Sequence, residues 1–258
     1  MLRFFRTIRQ RLLSNNKFSS YLLYAIGEIL LVVIGILIAL QVNNWNEGRL
    51  ERKEEVEVLK SVKKDLANTI KEFQYLNQIR DKVLYGTRGL FQAAGTDGVK
   101  GQELDSLIGL TFYRPTFNNK QGAITLLFTS GKINLIQNDS IRELLLSWPG
   151  LIDDMVEEEV FAVKLFQDSY YPALSKYVFL DGIIVTAMST SFFGTITPEK
   201  RYSTLPIETD YNGLLADRDF LNHLRMRATH MQITKGETHD MILHANGIIA
   251  LIDEEIGR

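Results

Sequence analysis

Hydrophobic and polar positions alternate in distinct regimes along the chain. From Leu22 to Leu40 the only ionisable residue is Glu28, and apolar residues fill nearly every other position. At ~1.5 Å per residue this stretch spans about 28 Å, close to the hydrocarbon thickness of a bilayer, which predicts a membrane-spanning helix over residues 21–45. Tyr21 and Tyr24 at one end and Trp45 at the other match interfacial aromatic belts, with Asn43, Asn44 and Asn46 at the exit. The pattern then changes: Val56, Leu59, Val62, Leu66, Ile70, Phe73, Leu76, Ile79 and Val83 recur in steps of three and four against a Lys/Glu-rich face. Only Gly48 interrupts the junction, so the span is expected to continue outward into a long helix. Gly86, Gly89, Gly95, Gly98 and Gly101 are expected to end it, with Thr96-Asp97-Gly98 as a turn.

Further along, Gln102 to Leu110 reads as a short helix broken by Arg114-Pro115-Thr116. Gly122 to Thr129 and Ile141 to Trp148 read as two helices linked by Ser130-Gly131-Lys132, the second capped by Asp139 or Ser140 and closed by Pro149-Gly150. Leu151, Ile152, Met155, Val156, Val160, Val163, Phe166, Tyr170, Leu174 and Tyr177 predict another helix, with Glu157-Glu158-Glu159 as its solvated face. Phe179 to Tyr211 has no helical period and reads as an irregular connection with a short hairpin in Ile183 to Phe193. From Asp217 the helical pattern returns through Phe220, Leu224, Met231, Met241, Ala245, Ile248 and Ile252, with Lys235-Gly236-Glu237 as an interruption.

The fold class that follows is mostly α: one N-terminal transmembrane helix, continuous with a long helix, and an elongated helical bundle with a short irregular or β connection. The expected organisation is a basic amphipathic cytoplasmic segment over 1–20, the span over 21–45, and a helical periplasmic domain over 46–258. In the first segment Arg3, Arg6, Arg9, Arg11 and Lys17 occur with no acid, interleaved with Leu2, Phe4, Phe5, Ile8, Leu12 and Leu13. Such a segment suits an anionic membrane surface, and it suits equally a positive flank that holds the N-terminus inside. A cleaved signal peptide is the competing reading. The apolar core is too long for one, and Leu37-Ile38-Ala39 and Leu40-Gln41-Val42 lack the paired small residues of a cleavage site.

Composition narrows the function classes. The chain has 258 residues, a net charge of -2 and 45% hydrophobic residues, which suits a folded domain and gives no basic face for nucleic acid beyond the N-terminal segment. With no cysteine, disulfides, thiolate metal sites and thiol catalysis are excluded together. His223 and His230 lie two helical turns apart, and His239 and His244 diverge around a helix, so neither pair converges on a metal; Asp240 with His244 lacks the spacing of helical di-iron sites. The chain has no nucleophile elbow, phosphate loop or dinucleotide fingerprint, and the glycine-rich run Gly95 to Gly101 follows a helix rather than a strand. No enzymatic activity, cofactor or metal is expected.

Glu28 is the residue that demands a reason, because an ionised carboxylate inside a bilayer costs several kcal/mol. In one reading it is a proton- or ion-responsive group at a helix interface, as in stator-type proteins. In the preferred one it lies about 10 Å from the cytoplasmic interface and snorkels or hydrogen-bonds within an oligomer. Gly35 and Ala39 form a small-x-x-x-small pair, and Gly27 falls on nearly the same face beside Glu28, which predicts self-association through the span.

The stretch Lys17 to Glu47, with Gly-Glu inside the span and Gln-x-Asn-Asn-Trp-Asn at its exit, resembles an uncharacterised family of single-pass membrane proteins common in Bacteroidota. Thr129 to Trp148 resembles the same family's second recurrent block. The resemblance covers about the first half of the chain and thins out after Leu151. It implies an inner-membrane location and carries over no catalytic residue. The expected function is a membrane-anchored scaffold or interaction subunit of an envelope complex, with the lipid bilayer, further copies of itself and other membrane proteins as partners. A sensor or ion-coupled subunit using Glu28 is the alternative.

Overall fold

The computed structural model describes residues 18–96, 101–118, 120–189 and 207–257. The basic segment carrying Arg3, Arg6, Arg9 and Arg11 lies outside them. Among the described residues the chain is mostly helical, without strands: α1 (Phe18–Ala94), α2 (Gly101–Thr111), α3 (Gly122–Thr129), α4 (Asp139–Leu165), α5 (Tyr171–Ser175), α6 (Leu180–Ser189), α7 (Tyr211–Ala216) and α8 (Arg218–Ile256). The contacts divide the chain into two compact units, Met1–Glu57 and Val58–Arg258.

In the first unit every described residue belongs to α1. This is a helix long and apolar enough to cross a membrane, and none of its apolar window is buried within the chain. Leu23, Leu31, Ile34 and Leu37 are all exposed. At the polar end Asn43 donates to Glu47 at 2.9 Å, the Arg49 guanidinium lies 6.0 Å from the Trp45 ring, and Arg52 pairs with Glu55 at 2.6 Å.

The second unit is a bundle of α4, α8 and the part of α1 from Val58 onward, with the shorter helices packed around it. Partner residues fix the directions. Lys63 pairs with Asp253 and Asp81 with Lys235, so α8 runs antiparallel to α1. Asn138 donates to Glu255 at 3.1 Å and the His230 ring lies 4.9 Å from the Phe161 ring, so α8 is also antiparallel to α4. One apolar cluster joins Leu59, Leu66, Phe73, Trp148, Ile152 and Ile248. A second joins Leu90, Ile108, Phe166, Leu214, Phe220 and Leu224, and a small one of Val83, Ala162 and Met231 lies between them along the helices.

Five sequence expectations are corrected. Gly86 and Gly89 do not end α1, which continues to Ala94. They are the positions where α2 crosses it closely: a Cβ on Gly86 would meet the Leu107 carbonyl oxygen at 2.6 Å and the Leu110 Cβ at 2.9 Å. Helical glycines that permit a close crossing look, in sequence, like glycines that end a helix. We expect Gly86→Val to lower stability by about 1–3 kcal/mol through overpacking. Gly236→Ala, where the space is open, should instead raise it slightly; thermal melts of the two variants check both signs.

Pro149-Gly150 does not close a helix either, since α4 runs through it from Asp139 to Leu165. Proline inside a helix costs ~3 kcal/mol. Leu145, Trp148, Ile152 and Met155 are buried on one face across that point, and at about 1.5–3 kcal/mol per side chain they outweigh the break. The cap of α4 is Asn138, whose side chain accepts from Ile141 N at 3.2 Å, rather than Asp139 or Ser140. The hairpin expected from Ile183 to Phe193 is helix α6 as far as Ser189, with Ile183 buried in the second cluster; residues 190–206 lie outside the described residues.

Lys235-Gly236-Glu237 does not interrupt α8, because Thr234 and Thr238 on either side stay buried in phase with Met231 and Met241. Asp217 starts that helix. Its Oδ1 accepts from Asp219 N at 2.7 Å and Phe220 N at 3.2 Å, and its Oδ2 accepts from the Tyr177 hydroxyl at 2.8 Å. The Tyr177 hydroxyl, then the Phe220 amide, hold the carboxyl below the usual carboxylate range. A depressed pKa contributes stability that is lost as pH falls through the folded value. Hydrogen exchange should therefore show the first turn of α8 losing protection in acid, and Asp217→Asn should flatten that dependence.

Candidate functional site

The residues singled out in the span fall as follows. Glu28 is half-buried, and its neighbours Ile26, Gly27, Ile29 and Leu30 are exposed. Among the described residues nothing beyond the helix's own adjoining backbone lies within 4 Å of a Cβ placed on Gly27 or Gly35, and Ala39 is exposed. Trp45 is 68% exposed at the polar end of the span. Tyr21 and Tyr24 are helical positions of α1.

The bundle holds a charged layer that the periodicity concealed. Arg80 on α1 and Glu159 on α4 are 0% and 3% exposed and form an ion pair through Nη2 and Oε1. Arg80 Nη1 also donates to Asn77 Oδ1 at 2.9 Å and to Thr238 Oγ1 at 3.3 Å on α8. Glu159 Oε2 accepts from Phe117 N at 2.6 Å. Burial pushes the Glu159 carboxyl up, against the Phe117 amide and Arg80, and pushes the Arg80 guanidinium down, against Glu159. The two charges are therefore held by each other and by bonds from all three long helices. Glu237 and His230 flank the layer. Burial, followed by Glu158, raises the Glu237 carboxyl. His230 Nδ1 lies 3.7 Å from Glu158 Oε2.

One turn of α8 before His230, Arg227 makes a second buried polar anchor. It is 2% exposed; Nε donates to the Thr111 carbonyl at 2.8 Å and Nη2 to the Tyr113 carbonyl. Its guanidinium lies 4.6 Å from the Phe166 ring and 5.7 Å from the Tyr170 ring. Those rings come from a π-helical turn, Phe166–Tyr170, that joins α4 to α5. Thr111 Oγ1 donates to the Ile108 carbonyl at 2.7 Å, which leaves the Tyr170 hydroxyl to donate to Thr111 Oγ1 at 2.6 Å. Burial pushes the Tyr170 hydroxyl up to about 12 and the Arg227 guanidinium down to about 10.

Chemically, the Arg80 and Glu159 charges face each other and neither faces solvent, while Arg80 Nε, both His230 ring nitrogens and Glu237 Oε2 are buried without a hydrogen-bond partner. It ties α1, α4 and α8 into one register. Among the described residues no three His, Asp or Glu side chains are arranged to hold a metal ion. The expectation that Glu157-Glu158-Glu159 forms a solvated face fails at Glu159, whereas Glu157 is exposed. The available signal was phase: Ile152, Met155, Glu159, Ala162 and Phe166 step by three and four, while Val160, read as core, is 62% exposed.

A family model described as a family of unknown function (DUF6090) matches residues 28–148. No curated protein and no solved structure matches the chain. The match starts at Glu28 within the span and ends at Trp148 in α4. It therefore includes Arg80 and stops short of Glu159 and Arg227. The chain is similar to an uncharacterised family over that portion, which includes Glu28 to Glu47 of the first stretch singled out in the sequence and the whole of the second, Thr129 to Trp148.

Proposed function

We propose that this chain is a bacterial inner-membrane protein of a Bacteroidota single-pass family, with its N-terminus cytoplasmic and its helical domain periplasmic. In this reading it is a non-enzymatic scaffold or interaction subunit of an envelope complex, with the lipid bilayer, further copies of itself and other membrane proteins as its partners. The observation that carries the proposal is the apolar half of α1, of which nothing is buried within the chain, followed in the same helix by a bundle that buries its Arg80–Glu159 ion pair. A surface of that kind needs lipid or another protein to cover it. The open face at Gly27, Gly35 and Ala39 supports close approach of a second copy.

Crosslinking with mass spectrometry in native membranes tests this. Crosslinks between copies and to other envelope proteins are expected, and Gly35→Ile should remove the former; a chain that yields only intramolecular crosslinks overturns the reading. The ion-coupled alternative rests on Glu28, half-buried where its neighbours are exposed. Glu28→Gln should then leave assembly intact and abolish a proton-linked activity of the complex.

A further inference from the structure

Beside the π-helical turn, Phe112, Arg114, Phe166, Gln167 and Tyr171 line a surface groove of about 330 Å³, at the small end of the range that takes side chains or small ligands. Its walls are aromatic and set against each other. Phe112 meets Phe166 edge-on at 5.7 Å and Tyr171 edge-on at 6.3 Å, and Phe166 lies 6.2 Å from Tyr171. Two guanidinium groups attend the same Phe166 ring: the Arg114 group at 5.7 Å, from an exposed residue, and the Arg227 group at 4.6 Å, from a buried one. Neither is paired with a carboxylate among the described residues; both hydrogen bonds of Arg227 go to neutral carbonyls, and the Arg114 charge bears on Arg227 with the same sign. The groove thus joins an apolar floor to an uncompensated double positive charge, in a chain whose net charge is negative.

From this charge and shape we propose that the groove docks an acidic peptide segment of a partner protein. A carboxylate would pair with Arg114 at the rim and an adjacent apolar or aromatic side chain would lie on Phe166 and Tyr171. A carboxylate is the group that relieves a cation pair of this kind, and Arg114 is placed to meet it without displacing any internal bond. Gln167 beside it offers an amide to the peptide backbone. This inference rests on the interaction reading above and names what that interaction recognises.

The test uses the full chain in nanodiscs, selecting from a displayed library of short random peptides. The expected result is enrichment of peptides with Asp or Glu within two positions of an aromatic or aliphatic residue. Affinity of a synthetic peptide of the selected sequence should fall at least about tenfold with Arg114→Gln, the loss of one charge-assisted pair. Tyr171→Ala should also weaken it, Lys71→Gln outside the groove should leave it unchanged, and binding should weaken with salt. No enrichment, enrichment of basic or uncharged peptides, binding indifferent to Arg114→Gln, or equal capture by anionic vesicles without peptide each overturns the proposal. If the selection fails while crosslinks to envelope proteins persist, this groove is not the docking site and the interaction reading stands.

Discussion

Replacing Glu159 with alanine is expected to destabilise the bundle by about 3–5 kcal/mol, because it strands the fully buried Arg80 charge and removes the acceptor of Phe117 N. Set against a usual domain stability of ~5–15 kcal/mol, that loss leaves a marginal fold. Arg80→Met alone should cost a similar amount, for the complementary reason. The double variant Arg80→Met with Glu159→Leu should recover most of the loss, since two apolar side chains of comparable volume leave no unpaired charge. Guanidinium denaturation of the unsubstituted protein, Arg80→Met, Glu159→Leu and the double variant closes the cycle, and a coupling energy near zero would show that the pair is not what joins α1 to α4.

Trp148→Ala carries the second large effect, about 3–5 kcal/mol for an emptied core position. Trp148 is fully buried in the first apolar cluster, its Nε1 donates to Gln121 Oε1 at 2.9 Å, and its ring stacks on His244 at 5.8 Å. Gln121 in turn donates to Thr69 Oγ1 at 2.9 Å, so the indole links α4 to α1 through the start of α3. Trp148→Phe keeps much of the volume but leaves the Gln121 carbonyl unsatisfied, and should cost about 1–3 kcal/mol. The difference between the two variants in one denaturation series separates packing from the hydrogen bond. A Trp148→Phe loss near zero would mean that the indole N–H contributes little.

The long helices were legible because their buried positions are mostly apolar and recur at the helical period, as at Leu59, Val62, Leu66, Phe73 and Leu76. The span was legible for a simpler reason: a continuous apolar run needs no phase. What the pattern hid were residues whose role is set by another part of the chain. Arg80 is adjacent to Ile79 and looks like a surface position until Glu159 is brought against it. Glu159 sits in an acidic run whose first member, Glu157, is exposed and whose second, Glu158, is half-buried. Gly86 and Pro149 carry strong local signals to stop a helix, and both are overridden by tertiary packing, the first by the crossing of α2 and the second by the buried face through Trp148. Arg227 gave no signal at all, since its partners are two carbonyls at the end of α2 and a π-helical turn that no residue pattern marks.

In the proposed topology α1 crosses a membrane and the bundle lies on the far side from the N-terminus. The absence of cysteine allows a direct measurement: single variants Ser14→Cys and Lys64→Cys, labelled with a membrane-impermeant maleimide in cells whose outer membrane alone has been permeabilised. Labelling of Lys64→Cys in those cells, with Ser14→Cys reacting only after the inner membrane is opened, is the result the account predicts. Equal labelling of both before the inner membrane is opened, or the reverse order, would contradict it.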